Sequence, residues 1–108
     1  MGVTKSTAFS EEQNQLALFA KAFAHPARIA IIQELIQRNT CICGDLVDVL
    51  PLSQSTISQH LKALKKIGII KGIVDPPKVC YCINDKVWGE MQKTLASFLK
   101  AYSPNCCS

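Results

Sequence analysis

The sequence predicts a mainly α-helical domain with one small β-wing. Three observations predict it. Apolar residues recur at helical spacing through most of the chain. The period changes to that of strands just once, between Ile69 and Ile83. A capping residue, a glycine or a proline marks each boundary. The length of 108 residues suits one domain. With 48% hydrophobic and 19% charged residues, the composition is that of an ordinary globular protein. No apolar run approaches the ~20 residues needed to cross a bilayer. Met1 to Ser10 lacks the basic-then-apolar layout of a secretory signal. Exported, membrane-spanning and collagen-like classes are therefore not expected, and a cytoplasmic location is.

The elements follow in order. Residues 1–9 read as a flexible leader. Ser10 with Glu11, Glu12 and Gln13 reads as a capping box opening a helix. Leu16, Phe19, Ala20, Phe23 and Ala24 form its apolar stripe. His25-Pro26 interrupts that stripe, and Pro26 suits the first turn of a second helix. The second helix runs to about Arg38, with Ile29, Ile32 and Ile36 on one side and Ile31 and Leu35 beside them. Thr40 to Ile42 is a short β-prone link. Gly44-Asp45 begins a short third helix through Leu50, which Pro51 stops. Ser53 caps a fourth helix, with Ile57, Leu61 and Leu64 inward and Gly68 closing it. Ile69 to Val74 and Lys78 to Ile83 read as strands around the rigid Asp75-Pro76-Pro77 turn. Asn84 or Asp85 caps a last helix, whose stripe is Trp88, Met91, Leu95, Phe98 and Tyr102. Residues 10–102 are thus the domain, and residues 103–108 a flexible cysteine-containing tail. Two short helices joined by a brief turn, then a two-stranded wing, describe a winged helix-turn-helix.

Charge is concentrated. Between Pro51 and Lys78 five lysines face a single acid, Asp75, so this segment carries the whole net charge of +4. That asymmetry points to a polyanion partner on one face. Opposite the buried side of the Ser53-capped helix lie Ser55, Gln59, Lys62 and Lys66, with Gln54, Thr56, Ser58 and His60 crowding its N-terminal half. Glutamine can bond adenine through two contacts, and hydroxyls can reach base edges or phosphates. Lysines further along can meet phosphates, adding affinity without sequence information. Lys71 and Lys78 flank the wing and can reach the flanking backbone. An ordinary solvated helix face would mix Glu with Lys, whereas no acid occurs between Val49 and Val74. His60 has no carboxylate at helical spacing, so a packing or phosphate role is expected of it, and His25 reads as structural. No catalytic constellation stands out, and an enzyme is not expected.

The run CICGDLVDVLPLSQSTISQHLKALKKIGIIKG, residues 41–72, resembles the core of the ArsR/SmtB family of bacterial repressors. Ala24-His25-Pro26-Ala27-Arg28-Ile29 and Val79 to Asn84 resemble its second-helix start and its wing-to-helix passage. The resemblance covers roughly residues 10–102. It implies a homodimeric winged-helix protein that binds operator DNA and leaves it when an effector binds. It also implies that Ser55, Thr56, Ser58, Gln59 and His60 face the operator. One metal site of the family places Cys-x-Cys directly before the Asp-Leu of the third helix; here Gly44 intervenes. Another needs His and Asp on the last helix; Asp85 and Glu90 are present there without a histidine, so a zinc site of that kind is not expected.

Six cysteines are many for this length. In a reducing compartment, soft-metal or redox chemistry explains them better than structural disulfides. If the Thr40 to Ile42 strand adds beside Val79 to Ile83, then Cys41 and Cys43 come near Cys80 and Cys82, which share one strand face. Such neighbours can share a soft ion, and trivalent arsenic needs only three thiolates. The adjacent Cys106 and Cys107 can also trap a thiophile. Buried, inert thiols and a redox or persulfide switch are the rival readings. No resident cofactor is expected; arsenite, antimonite or another thiophilic metal ion is the expected effector. The first and last helices, through Leu16, Phe19 and Phe23 with Met91, Leu95, Phe98 and Tyr102, are the expected dimer interface. Two recognition helices would then meet successive major grooves ~34 Å apart on an inverted-repeat operator. A winged-helix module that docks an acidic partner protein is the alternative from another class.

Overall fold

Local capping chemistry sets most boundaries. The computed structural model describes residues 8–39, 41–42, 49–75 and 78–104. Most of the expected leader, Thr40 of the expected link, most of the expected short helix from Gly44 to Leu50, the expected Pro76-Pro77 turn and the tail from residue 105 lie outside the described residues. Helix α1 is Glu11–Lys21. Ser10 Oγ accepts the Gln13 N–H at 3.0 Å, and Gln13 Oε1 accepts the Ser10 N–H at 3.0 Å, so two otherwise orphaned donors are satisfied reciprocally. Helix α2 is Pro26–Arg38. Its first residue has no N–H to leave unpaired, and His25 Nδ1 accepts the Ala27 N–H at 3.0 Å. Helix α3 is Gln54–Ile67, opened by Ser53 and closed by Gly68 at φ 102°, a left-handed conformation that glycine adopts without a Cβ clash. Helix α4 is Asp85–Lys100, capped by Asn84. Between α3 and α4, β1 (Ile70–Asp75) and β2 (Lys78–Ile83) pair antiparallel, from Ile70 opposite Ile83 to Asp75 opposite Lys78.

One core holds these elements. Phe19, Ala22, Ile31, Ile32, Leu35, Ile42, Ile57, Leu61, Leu64, Ile69, Ile70 and Met91 form a single buried cluster. Burying one such large side chain is worth ~1.5–3 kcal/mol. Helix α1 packs on α4, α2 on α3 and β2, and α3 on β1. Burial of Ile57, Leu61 and Leu64 fixes the rotation of α3 and turns its polar side outward.

Four details differ from the sequence-based expectation. The α1 stripe does not continue through Ala24. Phe23 and Ala24 bond back three residues, to Ala20 and Lys21, and this tighter turn buries Ala22 while Ala20 and Ala24 stay exposed. On α2 the buried line is Ile31, Ile32 and Leu35, while Ile29 and Ile36 are exposed, because α3 and β2 pack against the former side. The first strand starts at Ile70, with Ile69 buried in the link before it. Among the described residues, the link after α2 pairs with β2 through the single Ile42–Tyr81 bridge. Ile42 is fully buried, so its side chain anchors the bridge.

Candidate nucleic-acid interface

Helix α3 presents the outward residues. Gln54, Ser55, Ser58, Gln59, Lys62, Lys65 and Lys66 are exposed, and Thr56 and His60 are half-buried. Ser53 Oγ donates to Thr56 Oγ1 at 2.9 Å and lies 3.2 Å from Ser55 Oγ. The hydroxyls at the start of the helix are thus already oriented by one another. Lys71, on β1, is exposed, and Lys78 is the first residue of β2. Lys65 arches over the root of the wing: a Cβ at Gly72 would lie 3.3 Å from its Nζ. Chemically, this face offers amides and hydroxyls at one end and ammonium groups further along, with no carboxylate in the helix.

His60 is tied to the α1–α2 junction. Arg28 Nε donates to His60 Nδ1 at 3.3 Å, and Arg28 Nη1 donates to the Lys21 carbonyl at 2.6 Å. The His25 and His60 rings are 4.6 Å apart. An Nδ1 that accepts leaves the ring proton on Nε2 in the neutral form. Arg28 is the functional candidate that sequence reasoning missed. Its position in Ala24-His25-Pro26-Ala27-Arg28 marked a helix start, and nothing at helical spacing pointed to a residue 32 positions away.

The His60 pKa lies below its ordinary value of 6.5, mainly because burial disfavours the charged ring, with His25 and then Arg28 adding repulsion. The unfolded chain therefore takes the proton first as pH falls. This contribution leaves stability intact above 6.5, and stability is lost as pH falls from there through the folded value. Urea unfolding across this window should show a steeper decline for the native chain than for His60→Gln, whose amide oxygen can still accept from Arg28. Identical pH profiles would refute this.

The thiols meet as a cross-strand pair. Ile42 and Tyr81 exchange both backbone hydrogen bonds, each at 2.9 Å. The residue pairs flanking such a rung are the closer, non-hydrogen-bonded kind. Cys41 and Cys82 occupy one of them, with Cα atoms 4.4 Å apart, and are joined by a disulfide. Cys41 is half-buried and Cys82 buried. Cys80 is disulfide-bonded too. Cys43, Cys106 and Cys107 lie outside the described residues. Among the described residues no group of three or more His, Cys, Asp or Glu gathers as a metal site.

Of the expected interface residues, Phe19 and Met91 lie in the subunit core, at 1% and 2% exposure. Leu16, Phe23 and Leu95 are half-buried. Phe98 and Tyr102 are exposed, together with Leu18 and Leu99, which sequence reasoning did not single out. Helical periodicity marks an apolar side but does not say how far the subunit's own core reaches along it.

Comparison with known proteins places this arrangement. Residues 25–71 match the family described as bacterial regulatory protein, arsR family. The HTH-type transcriptional repressor SmtB of Mycobacterium tuberculosis is 40% identical over 65 residues, covering 60% of this chain and 47% of that protein. The chain therefore spans about half the length of that relative. The arsenical resistance operon repressor of Bacillus subtilis is 36% identical over 90 residues, covering 81% of this chain and 85% of that protein. An ArsR-like transcriptional regulator from Rhodococcus sp. RHA1 shares the fold, with TM-score 0.70 and 22% identity across 82% of this chain and 80% of that one. With the helix pair, the wing and the acid-free α3 face in place, these matches show that the chain belongs to the ArsR family of bacterial regulatory proteins.

Proposed function

We propose that this chain is a DNA-binding transcriptional repressor that acts as a homodimer and leaves its operator when an effector engages the thiols beside the wing. The observation that carries the reading is the outward face of α3: Gln54, Ser55, Ser58 and Gln59 exposed at one end, Lys62 and Lys66 beyond. In this geometry the amides and hydroxyls read base edges while Lys62, Lys66, Lys71 and Lys78 hold phosphates. Arg28 holds His60 so that its Nε2–H can donate to a phosphate. Exposed Phe98, Leu99 and Tyr102 on and beyond α4 supply the apolar surface for a second copy.

Reduced, Cys41 and Cys82 supply two of the three thiolates that arsenite or antimonite takes, with Cys43 and Cys80 the candidates for the third. Their pairing as a disulfide favours a second reading, in which oxidation and reduction are the signal. Either event alters the tie between the link that leads toward α3 and the wing strand. A coupling of ~1–3 kcal/mol, usual for such linkage, lowers operator occupancy several-fold.

The test is a fluorescence-anisotropy titration of the reduced chain against the duplex upstream of its own gene and a scrambled duplex. Tighter binding to the upstream duplex and release by arsenite are expected. Equal affinity for both duplexes would overturn the repressor reading. Release by peroxide but not arsenite would replace the metal effector with the redox one.

A further inference from the structure

Beside the wing lies a cleft of about 560 Å³ whose wall contains Cys41, Cys82 and Trp88, with Lys71 and Asp85 among its other lining residues. We infer that this cleft binds a low-molecular-weight thiol of the amino-acid or peptide class, or the corresponding disulfide, and positions its sulfur for exchange with the Cys41–Cys82 bond. The inference rests on the thiol-switch part of the reading above and adds the ligand class. A volume of this size is in the range of pockets that take small molecules. The lining brings together three features that such a ligand requires. Cys41 is the less buried residue of the pair. Lys71 stands directly across the ladder from Cys82, so the two share a face of the wing, and both line the cleft. Asp85 supplies the opposite charge, so the cleft suits a ligand with both a carboxylate and an ammonium group, while Ile83 and Trp88 provide apolar wall.

The exchange balances as follows. The ligand thiolate attacks Cys41 Sγ, forming a ligand–Cys41 disulfide as the Cys41–Cys82 bond breaks. The electron pair leaves on Cys82 Sγ. A second ligand thiolate then attacks the ligand sulfur, releasing the ligand disulfide and the Cys41 thiolate. Two ligand thiols are oxidised to one disulfide, the protein disulfide gains two electrons, and the two thiol protons end on Cys41 and Cys82. The reverse sequence, starting from the ligand disulfide, reoxidises the pair.

Glutathione is the probe. The full chain with Cys43, Cys80, Cys106 and Cys107 changed to serine isolates the pair, and Trp88, the single tryptophan of the chain, reports its state by fluorescence. The native chain is run in parallel. The reduction rate should saturate with glutathione but rise linearly with 2-mercaptoethanol, which carries no charges for the cleft to hold. Mass spectrometry should place the mixed disulfide on Cys41. Lys71→Gln with Asp85→Asn should lower the rate at low glutathione about tenfold, as expected for losing charge-assisted contacts, while reduction by 2-mercaptoethanol changes less. Linear kinetics with glutathione in both the native chain and the serine variant, or equal losses for both thiols in the charge variant, would overturn the inference. Operator binding is measured separately. Saturation without operator binding would sink the repressor reading alone, and operator binding with linear kinetics would sink the cleft alone.

Discussion

Replacing Lys62 and Lys66 together with glutamate is expected to weaken duplex binding on the order of 100-fold at moderate salt, with similar losses on operator and scrambled DNA. Both side chains are exposed on α3 beyond its hydroxyl-rich start. In the proposed docking they meet phosphates, which carry no sequence information. Each lost phosphate contact should also reduce the slope of log affinity against log salt by about 0.9. Gln59→Ala should behave differently. It should cost ~1–3 kcal/mol on the operator, leave the salt slope unchanged and narrow the gap between operator and scrambled duplex. Anisotropy titrations over a salt series separate the two outcomes. Neither substitution touches the core, so melting temperatures should hardly move. An unchanged affinity for Lys62→Glu/Lys66→Glu would remove α3 from the interface.

If the chain pairs as proposed, changing Phe98 and Leu99 to glutamate should leave it monomeric. The two side chains are 59% and 68% exposed in the single subunit. Burying a side chain of this size is worth ~1.5–3 kcal/mol, and two-fold symmetry counts each position twice. Four glutamates brought together would add repulsion to that loss. Sedimentation should show the native chain as a dimer and the variant as a folded monomer. Operator affinity should fall steeply, because two linked half-site contacts become independent ones. Met91→Ala is the contrasting case. Met91 is a buried core residue, so the expected result is loss of ~2–5 kcal/mol of folding stability rather than selective loss of the dimer. A Phe98→Glu/Leu99→Glu variant that still sediments as a dimer would move the interface elsewhere.

Much of this architecture is written in short-range chemistry. Ser10, Ser53, Asn84 and Gly68 set helix ends through bonds spanning three or four residues, and such bonds are visible in a linear sequence. Alternation along β2 likewise places Cys80 and Cys82 on one face, because successive side chains of any strand point to opposite sides. The meeting of Cys41 with Cys82 was legible once the short link was set beside β2. Its consequence, a covalent pair beside a cleft, was not.

Packing across the whole chain decided the remainder. Ile31 rather than Ile29 enters the core, Phe19 and Met91 are spent inside the subunit, and Arg28 reaches His60 on another helix. Lys71, Cys82 and Asp85 come to line one cleft through the register of the wing and the position of α4. Residues one turn apart meet whatever surrounds them, so their pairing is encoded locally. Residues separated by tens of positions meet only after burial of the common core has chosen among the possible dockings of the same helices and strands.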